Sequence, residues 1–318
     1  MVLMKSLGRS GLEIPRLVLG GNVFGFTLKG DGAFRVLDRF VDGGGTMIDT
    51  ADVYSNWVSG NVGGESETLI GEWLKRRGRR DDVLIATKVG MLPGEGGEKL
   101  EPSRIAAAAE ASLKRLGTDY IDLYYAHQDD ERTPLEETLA AFDALVKTGK
   151  VRALGASNYS AERLRQALDI SVREGFAGYQ ILQPEYNLIV RNRFEGALQH
   201  LCLEREIDVL PYFGLASGFL TGKYRSEADL KKSVRGGRMP AYMNARGFAV
   251  LEALDEIAAE SGASQAQIAL AWISAQPGII APIASATKVE QLDELLGAME
   301  LELSPDQIER LNEAGREE

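Results

Sequence analysis

The chain has 318 residues, 44% hydrophobic and 26% charged, and its 36 basic against 47 acidic side chains leave a net charge of −11. That is core enough for one barrel of about 250 residues with loops and tails, so residues 1–318 read as a single domain, and the acidic balance argues against general nucleic-acid binding, which wants a basic face. One cysteine, Cys202, permits no internal disulfide and reads as a small buried residue in a reducing compartment, while two histidines, His127 and His200, are too few for the metal sites of barrel hydrolases, so no metal is expected.

Residues 1–15 read MVLMKSLGRSGLEIP, where Gly8, Gly11 and Pro15 interrupt the apolar run a signal peptide would need. A small hairpin is predicted from Met4 to Ile14. Short apolar runs follow at Leu17–Leu19, Met47–Ile48, Val83–Thr87, Ile121–Tyr125, Arg152–Gly155, Tyr179–Leu182, Val209–Tyr212 and Ile279–Ile283. Helix-period stretches lie between them, at Ala33–Val41, Thr68–Lys75, Ile105–Leu116, Leu135–Lys147, Ala161–Val172, Phe194–Arg205 and Phe248–Glu260. Thr133-Pro134 and Ser160 are start signals for two of these helices, and His200, inside a third, is expected on the surface. Ala263–Ala275 reads as an extra helix before the last strand and Pro305–Ala314 as a C-terminal helix. Eight strands alternating with helices predict an α/β fold, a (β/α)8 TIM barrel with an N-terminal β-hairpin, before a doubly wound sheet. No stretch approaches the roughly 18 apolar residues of a membrane span; no membrane partner is expected, and the expected place is the cytoplasm.

In a parallel barrel the C-terminal strand ends all open onto one face. Asp49, Tyr54, Lys88 and His127 each lie at or just after such an end. A hydroxyl, an ammonium, a carboxylate to hold the ammonium and an imidazole together make a proton-donating site for a polarised carbonyl. Free tyrosine titrates near pH 10, and an ammonium within about 4–6 Å favours its phenolate. Lys88 is expected to act on Tyr54 in this way, Asp49 to keep Lys88 charged, and His127 to orient a carbonyl oxygen. Singly, an Asp after a strand caps a helix, a Lys is a surface group and a Tyr packs; the four together argue for a site.

Neither glycine-rich stretch is a nucleotide fingerprint. Gly20-Gly21-Asn22-Val23-Phe24-Gly25 has the wrong spacing for the dinucleotide turn, and GEGGEK (Gly94 to Lys99) is followed by Leu100 where a P-loop carries Ser or Thr. The second stretch is expected to be a flexible loop over the pocket mouth. Between Lys223 and Arg238 six basic residues (Lys223, Arg225, Lys231, Lys232, Arg235, Arg238) stand against Glu227 and Asp229, a local excess of four positive charges in an acidic chain.

Nine motifs occur in order: LGGNVFG (Leu19 to Gly25), DTADVY (Asp49 to Tyr54), GGESE (Gly63 to Glu67), TK (Thr87, Lys88), DLYYAH (Asp122 to His127), GASN (Gly155 to Asn158), LQPEYN (Leu182 to Asn187), PYFGLASGFLTGKY (Pro211 to Tyr224) and PIASATKVEQLDE (Pro282 to Glu294). On these motifs, from about Leu3 to Ile308, the chain resembles an aldo-keto reductase. The resemblance implies reduction of a small-molecule carbonyl by NADPH, with NADH possible, and Asp49, Tyr54, Lys88 and His127 as the catalytic tetrad with Tyr54 as proton donor. It implies an extended dinucleotide across the barrel top, with Ser157, Asn158 and Gln183 on the nicotinamide carboxamide and Tyr212 against its ring. Gly21, Asn22 and Asp49 would lie beside the cofactor at the first strand ends. Gly214, Leu215, Ser217 and Lys223 would lie in the seventh loop near the pyrophosphate, and Ser285, Thr287, Lys288, Gln291 and Glu294 by the adenosine half. Lys288, set where the 2′-phosphate would lie, predicts a preference for NADPH over NADH; its plainer reading is a solvated residue that begins the last helix. The chain departs from the family at Leu295, where Asn is common, and at Gly214, where Pro is common. Phe24, Tyr54, Trp57 and His127 are expected to meet substrate, with Phe26 as a further apolar wall. Only a short tail follows the last barrel helix, so the site is expected to be open, and aldehydes, ketones, dicarbonyls and sugars all suit it. A cofactor-sensing regulatory or structural subunit, like the potassium-channel-associated relatives, is the alternative. Oligomeric state is left open.

Overall fold

The hairpin forms where expected, with β1 (Lys5–Leu7) antiparallel to β2 (Leu12–Ile14). The computed structural model describes residues 4–233 and 235–316. Beyond the hairpin it alternates: β3 (Val18–Gly20), α1 (Gly30–Asp42), β4 (Met47–Asp49), α2 (Glu65–Arg77), β5 (Leu84–Val89), α3 (Pro102–Leu116), β6 (Ile121–Ala126), α4 (Leu135–Lys147), β7 (Val151–Ser157), α5 (Ala161–Glu174), β8 (Ile181–Gln183), α6 (Ala197–Glu204), β9 (Asp208–Val209), α7 (Ala245–Ser261), α8 (Gln265–Ser274), β10 (Ile283–Ala284), α9 (Val289–Gly297) and α10 (Pro305–Ala314).

Strands β3 to β9 pair in sequence and in parallel, and β10 pairs with β3. Ile280 N–H donates to the Val209 carbonyl at 3.0 Å and Ile283 N–H to Pro211 at 2.8 Å, which brings the two ends of the sheet together. The result is a (β/α)8 barrel. Its last strands are shorter than the apolar runs Val209–Tyr212 and Ile279–Ile283 predict. Pro211 and Pro282 sit inside those runs and have no amide to give a ladder. Likewise α6 begins at Ala197 rather than Phe194, because Gly196 before it turns to φ 89°. Ser160 accepts the Arg163 amide and caps α5 as expected, whereas Thr133 gives its hydroxyl to Asp130 instead of capping α4.

Two apolar layers position the site. Met47, Ala86, Leu123, Tyr125, Ala153 and Ile181 fill the barrel interior, and Leu7, Leu12 and Ile14 of the hairpin join that cluster. Tyr124 and Ala126, the intervening residues of β6, belong instead to the larger core beneath the helices. Gly155 is required on β7, since a Cβ there would lie 2.4 Å from the Tyr125 ring. The interior is therefore a packed plug, and chemistry is confined to the rim where the strands end. No helix among the described residues is long and apolar enough to cross a membrane. Cys202 is buried and His200 exposed.

Candidate active site

The four strand-end residues converge. Lys88, on β5 and fully buried, donates to Asp49 Oδ2 at 2.7 Å, to the Thr50 carbonyl at 2.7 Å and to Tyr54 Oη at 3.0 Å, which uses all three of its protons. Asp49, the last residue of β4, also accepts from Gln183 Nε2 at 2.9 Å and from the Tyr54 hydroxyl at 3.3 Å. The half-buried Tyr54 meets the His127 ring edge to face, centroids 6.1 Å apart. His127 follows β6 and is held through its amide to Val89 O at 2.8 Å; its Nδ1 is buried without a hydrogen-bond partner.

Burial dominates the electrostatics. It pulls the Lys88 ammonium down, and the carboxylates of Asp49, Asp52 and Glu67 hold it up. It pushes His127 well below the usual imidazole range, helped by Lys88, so this ring is neutral near pH 7. It pushes the Tyr54 phenol well up, with Asp49 adding to the rise. This corrects the expectation that Lys88 leaves Tyr54 with a depressed pKa. The resting site holds a protonated phenol, and an ammonium 3.0 Å away stabilises the phenolate only once a proton has left.

Beside this group a polar relay runs along the next strand ends. Ser157 Oγ donates to the Gln183 carbonyl at 2.8 Å, Asn158 Nδ2 to His127 O at 2.9 Å and to Ser157 Oγ at 3.1 Å, and the Tyr212 hydroxyl to Asn158 Oδ1 at 2.8 Å. Asn158 adopts φ 56°, and Ser55 (74°), Phe213 (57°), Ala216 (46°) and Ser217 (58°) are also left-handed. Such backbone is costly for non-glycine residues and gathers at functional sites; all five lie in loops on the rim.

The remaining predicted contacts divide. Ser285 Oγ meets Asn22 Oδ1 at 2.6 Å and links the last strand end to the first, while Gly21 O accepts from Ser66 at 2.8 Å. Thr287 donates twice to Gln291 Oε1, closing the first turn of α9, and Glu294 lends its carbonyl to Gln267. Lys288 stands exposed at the N-cap of α9. Leu295 points into the core, so the departure there packs the helix rather than facing the rim. Gly214 is buried with Ile273 Cδ1 2.9 Å from where a Cβ would be, and Leu215 and Ser217 continue the loop. Lys223 is exposed over the Tyr224 ring.

Three readings need correction. Phe24 is fully buried in the helix-side core and is not a pocket wall; its carbonyl accepts from Ser55. Trp57 is 52% exposed and meets both Phe26 and Tyr54 edge-on at 6.1 Å, so the aromatic wall runs through these two. The loop 90–99 is pinned rather than loose: Gly94 and Gly97 exchange hydrogen bonds, and Arg104 donates to Leu92 O and Glu95 O. The basic loop is also partly neutralised from within, Arg225 by Asp255 and Lys232 by Asp229. Arg235 differs: it is half-buried beside Arg238 with no carboxylate partner among the described residues, and burial followed by Arg238 pulls its pKa down.

Sequence reasoning missed the charged layer behind Lys88, formed by Asp52, Glu67, Arg104 and Arg115. Asp52 and Glu67 lie inside quoted motifs, but nothing in spacing alone separates a buried carboxylate from a cap. Among the described residues no group of three or more His, Cys, Asp or Glu is placed to hold a metal ion.

A parallel eight-stranded barrel with a buried Lys–Asp pair, a tyrosine and a neutral histidine on its C-terminal rim defines an oxidoreductase-type site for carbonyl compounds. The aldo/keto reductase family model matches residues 16–316. The chain belongs to the aldo/keto reductase family. It is 34% identical to the uncharacterized oxidoreductase YrpG of Bacillus subtilis (strain 168), over 96% of this chain and 94% of that protein. It is 32% identical to a probable voltage-gated potassium channel subunit beta of Oryza sativa subsp. japonica, over 96% and 94%. It is 33% identical to the aldo-keto reductase yakc [NADP(+)] of Schizosaccharomyces pombe, over 88% and 81%.

Proposed function

We propose that the chain is an NADPH-dependent reductase of aldehydes or ketones in which Tyr54 is the proton donor. One observation carries the reading: the Tyr54 hydroxyl lies 3.0 Å from a buried ammonium whose other protons are already bound. A protonated phenol donates to the carbonyl oxygen, and Lys88, held by Asp49, stabilises the phenolate left behind. His127, whose ring is neutral, orients that oxygen by donating a ring N–H to it. NADPH, when bound, supplies the hydride that the carbonyl carbon receives.

The residues fit such a dinucleotide. Asn158 and Ser157 bond each other through side chains that a carboxamide could engage instead, the Gln183 amide lies beside them on Asp49, and Tyr212 offers an aromatic face. Arg235, half-buried without an anion, is the kind of unpaired charge that a phosphate compensates, and Arg238, Lys223 and Lys288 are further cations on the same rim. Trp57 and Phe26 favour substrates with an apolar or aromatic body. The test is oxidation of NADPH with a panel of carbonyls: Tyr54→Phe lowers turnover by about 10²–10⁴-fold while leaving NADPH affinity unchanged. Near-wild-type kcat in that variant overturns the mechanism.

A second reading, a cofactor-sensing regulatory subunit, is favoured by the likeness to a potassium-channel beta subunit. Binding of NADPH without turnover on any carbonyl of the panel would select it.

A further inference from the structure

Side chains alternate along β5 and β6. Lys88 and its register partner Tyr125 face the barrel interior, and Thr87 and its partner Tyr124 face the helices. On that outer side Glu67 of α2 is fully satisfied, accepting from Thr87 Oγ1 at 2.6 Å and from Arg115 Nε at 2.7 Å. Asp52 is not. It is fully buried in the turn that carries Tyr54, its Oδ2 accepts one hydrogen bond, from Arg104 Nη2 at 3.2 Å, and its Oδ1 has no partner. Its amide donates to the Lys88 carbonyl at 3.2 Å. Arg104 meanwhile grips Leu92 O at 3.0 Å and Glu95 O at 3.2 Å, so one guanidinium ties the loop 90–99 to the Tyr54 turn with Asp52 as its anchor.

We propose that Asp52 is a positioning residue for proton donation by Tyr54: through Arg104 it holds the loop 90–99 against the turn that carries Tyr54. The inference rests on the reading of Tyr54 as donor. The charged and titratable groups that face Asp52 are Glu67 from α2, Arg104 and Arg115 from α3, Lys88 from β5 and Tyr124 from β6. Burial and then Glu67 push Asp52 up to about 7, against Arg104 and Arg115. A carboxylate raised in this way is neutral below that pH and ionised above it. The tie to Arg104 therefore strengthens as pH rises through about 7.

The experiment uses the full chain with NADPH and para-nitrobenzaldehyde and follows kcat/KM across pH. Wild type should show an acid limb near pH 7. Asp52→Asn should lose that limb and run, above it, on the order of tenfold slower, as loss of a contact that positions a reacting group does. Arg104→Met removes the group through which Asp52 acts and should lose the limb as well, with a similar loss of rate. NADPH affinity should be unchanged in both variants. A wild type with no limb in this range, or an Asp52→Asn enzyme that keeps the limb and is merely scaled in rate, overturns the proposal. If Asp52→Asn does not fold, the wild-type and Arg104→Met profiles still decide. An active wild type without the limb leaves the role of Tyr54 standing, whereas a wild type that reduces no carbonyl sinks both.

Discussion

Two fully buried aspartates on the barrel wall, Asp122 at the base and Asp52 at the rim, are chemically identical and differently treated. Asp122 accepts from Arg80 at 2.6 Å, from the Ile85 amide at 2.8 Å and from Arg152 at 2.9 Å, so both its oxygens are bound. The Tyr120 ring lies against both guanidinium groups, 4.4 and 3.9 Å from its centroid. Asp52 has one long hydrogen bond and an empty oxygen. A desolvated carboxylate is tolerated when every acceptor position is filled. Where it is left underfilled, the fold carries a cost, and such costs collect where chemistry happens. The base of this barrel fills every acceptor of its buried carboxylate, and the rim leaves one empty.

The largest test of that contrast is at the rim. Lys88→Met should reduce kcat per folded molecule by about two orders of magnitude, as loss of a group that supports acid catalysis does, and should also lower the melting temperature, because it leaves the buried Asp49 without its cation. Since the ammonium favours phenolate, its removal should also raise the apparent pKa of the donor in the basic limb of the pH–rate profile. A collapse in stability with retained turnover would make the rim network structural and erase the distinction.

At the base only stability should move. Asp122→Asn leaves Arg80 and Arg152 without their anion and should cost about 3 kcal/mol of stability, the low end for a broken buried pair because Arg152 is half-exposed. Calorimetry checks the loss, and kcat per folded molecule should be unaffected. A variant that folds normally but loses turnover would mean that the base also serves the reaction.

The smallest effect concerns specificity. Lys288 is an exposed point charge at the start of α9, so Lys288→Ala should weaken NADPH binding roughly ten- to hundredfold, the worth of one charged hydrogen bond. NADH affinity should not change. Equal losses for both cofactors, or none, would remove Lys288 from phosphate recognition and leave Arg235 and Arg238 as the cations to vary next.

Much of this was legible in sequence for identifiable reasons. A parallel barrel must alternate strand and helix, and residues at strand ends must share a rim, so Asp49, Tyr54, Lys88 and His127 could be brought together before any coordinate was known. The short last strands were misjudged because apolar runs do not announce that Pro211 and Pro282 will break the ladder. Phe24 was misjudged because a phenylalanine in a loop reads alike whether it lines a pocket or fills a core. The upward shift at Tyr54 was hidden for a deeper reason: sequence names the charges near a group, and only burial decides whether they or the loss of water prevails.

The hairpin at the base has a kinetic meaning. With Leu7, Leu12 and Ile14 stoppering one end and the Tyr125 ring lying across the interior, the barrel is a cup and not a pipe. Everything that reacts enters and leaves through the same opening. A long dinucleotide laid along the rim as proposed would occupy the floor of that opening and form part of the surface the carbonyl compound rests on. On that proposal the dinucleotide would have to be seated before the carbonyl compound, and the reduced product would have to leave before the dinucleotide could.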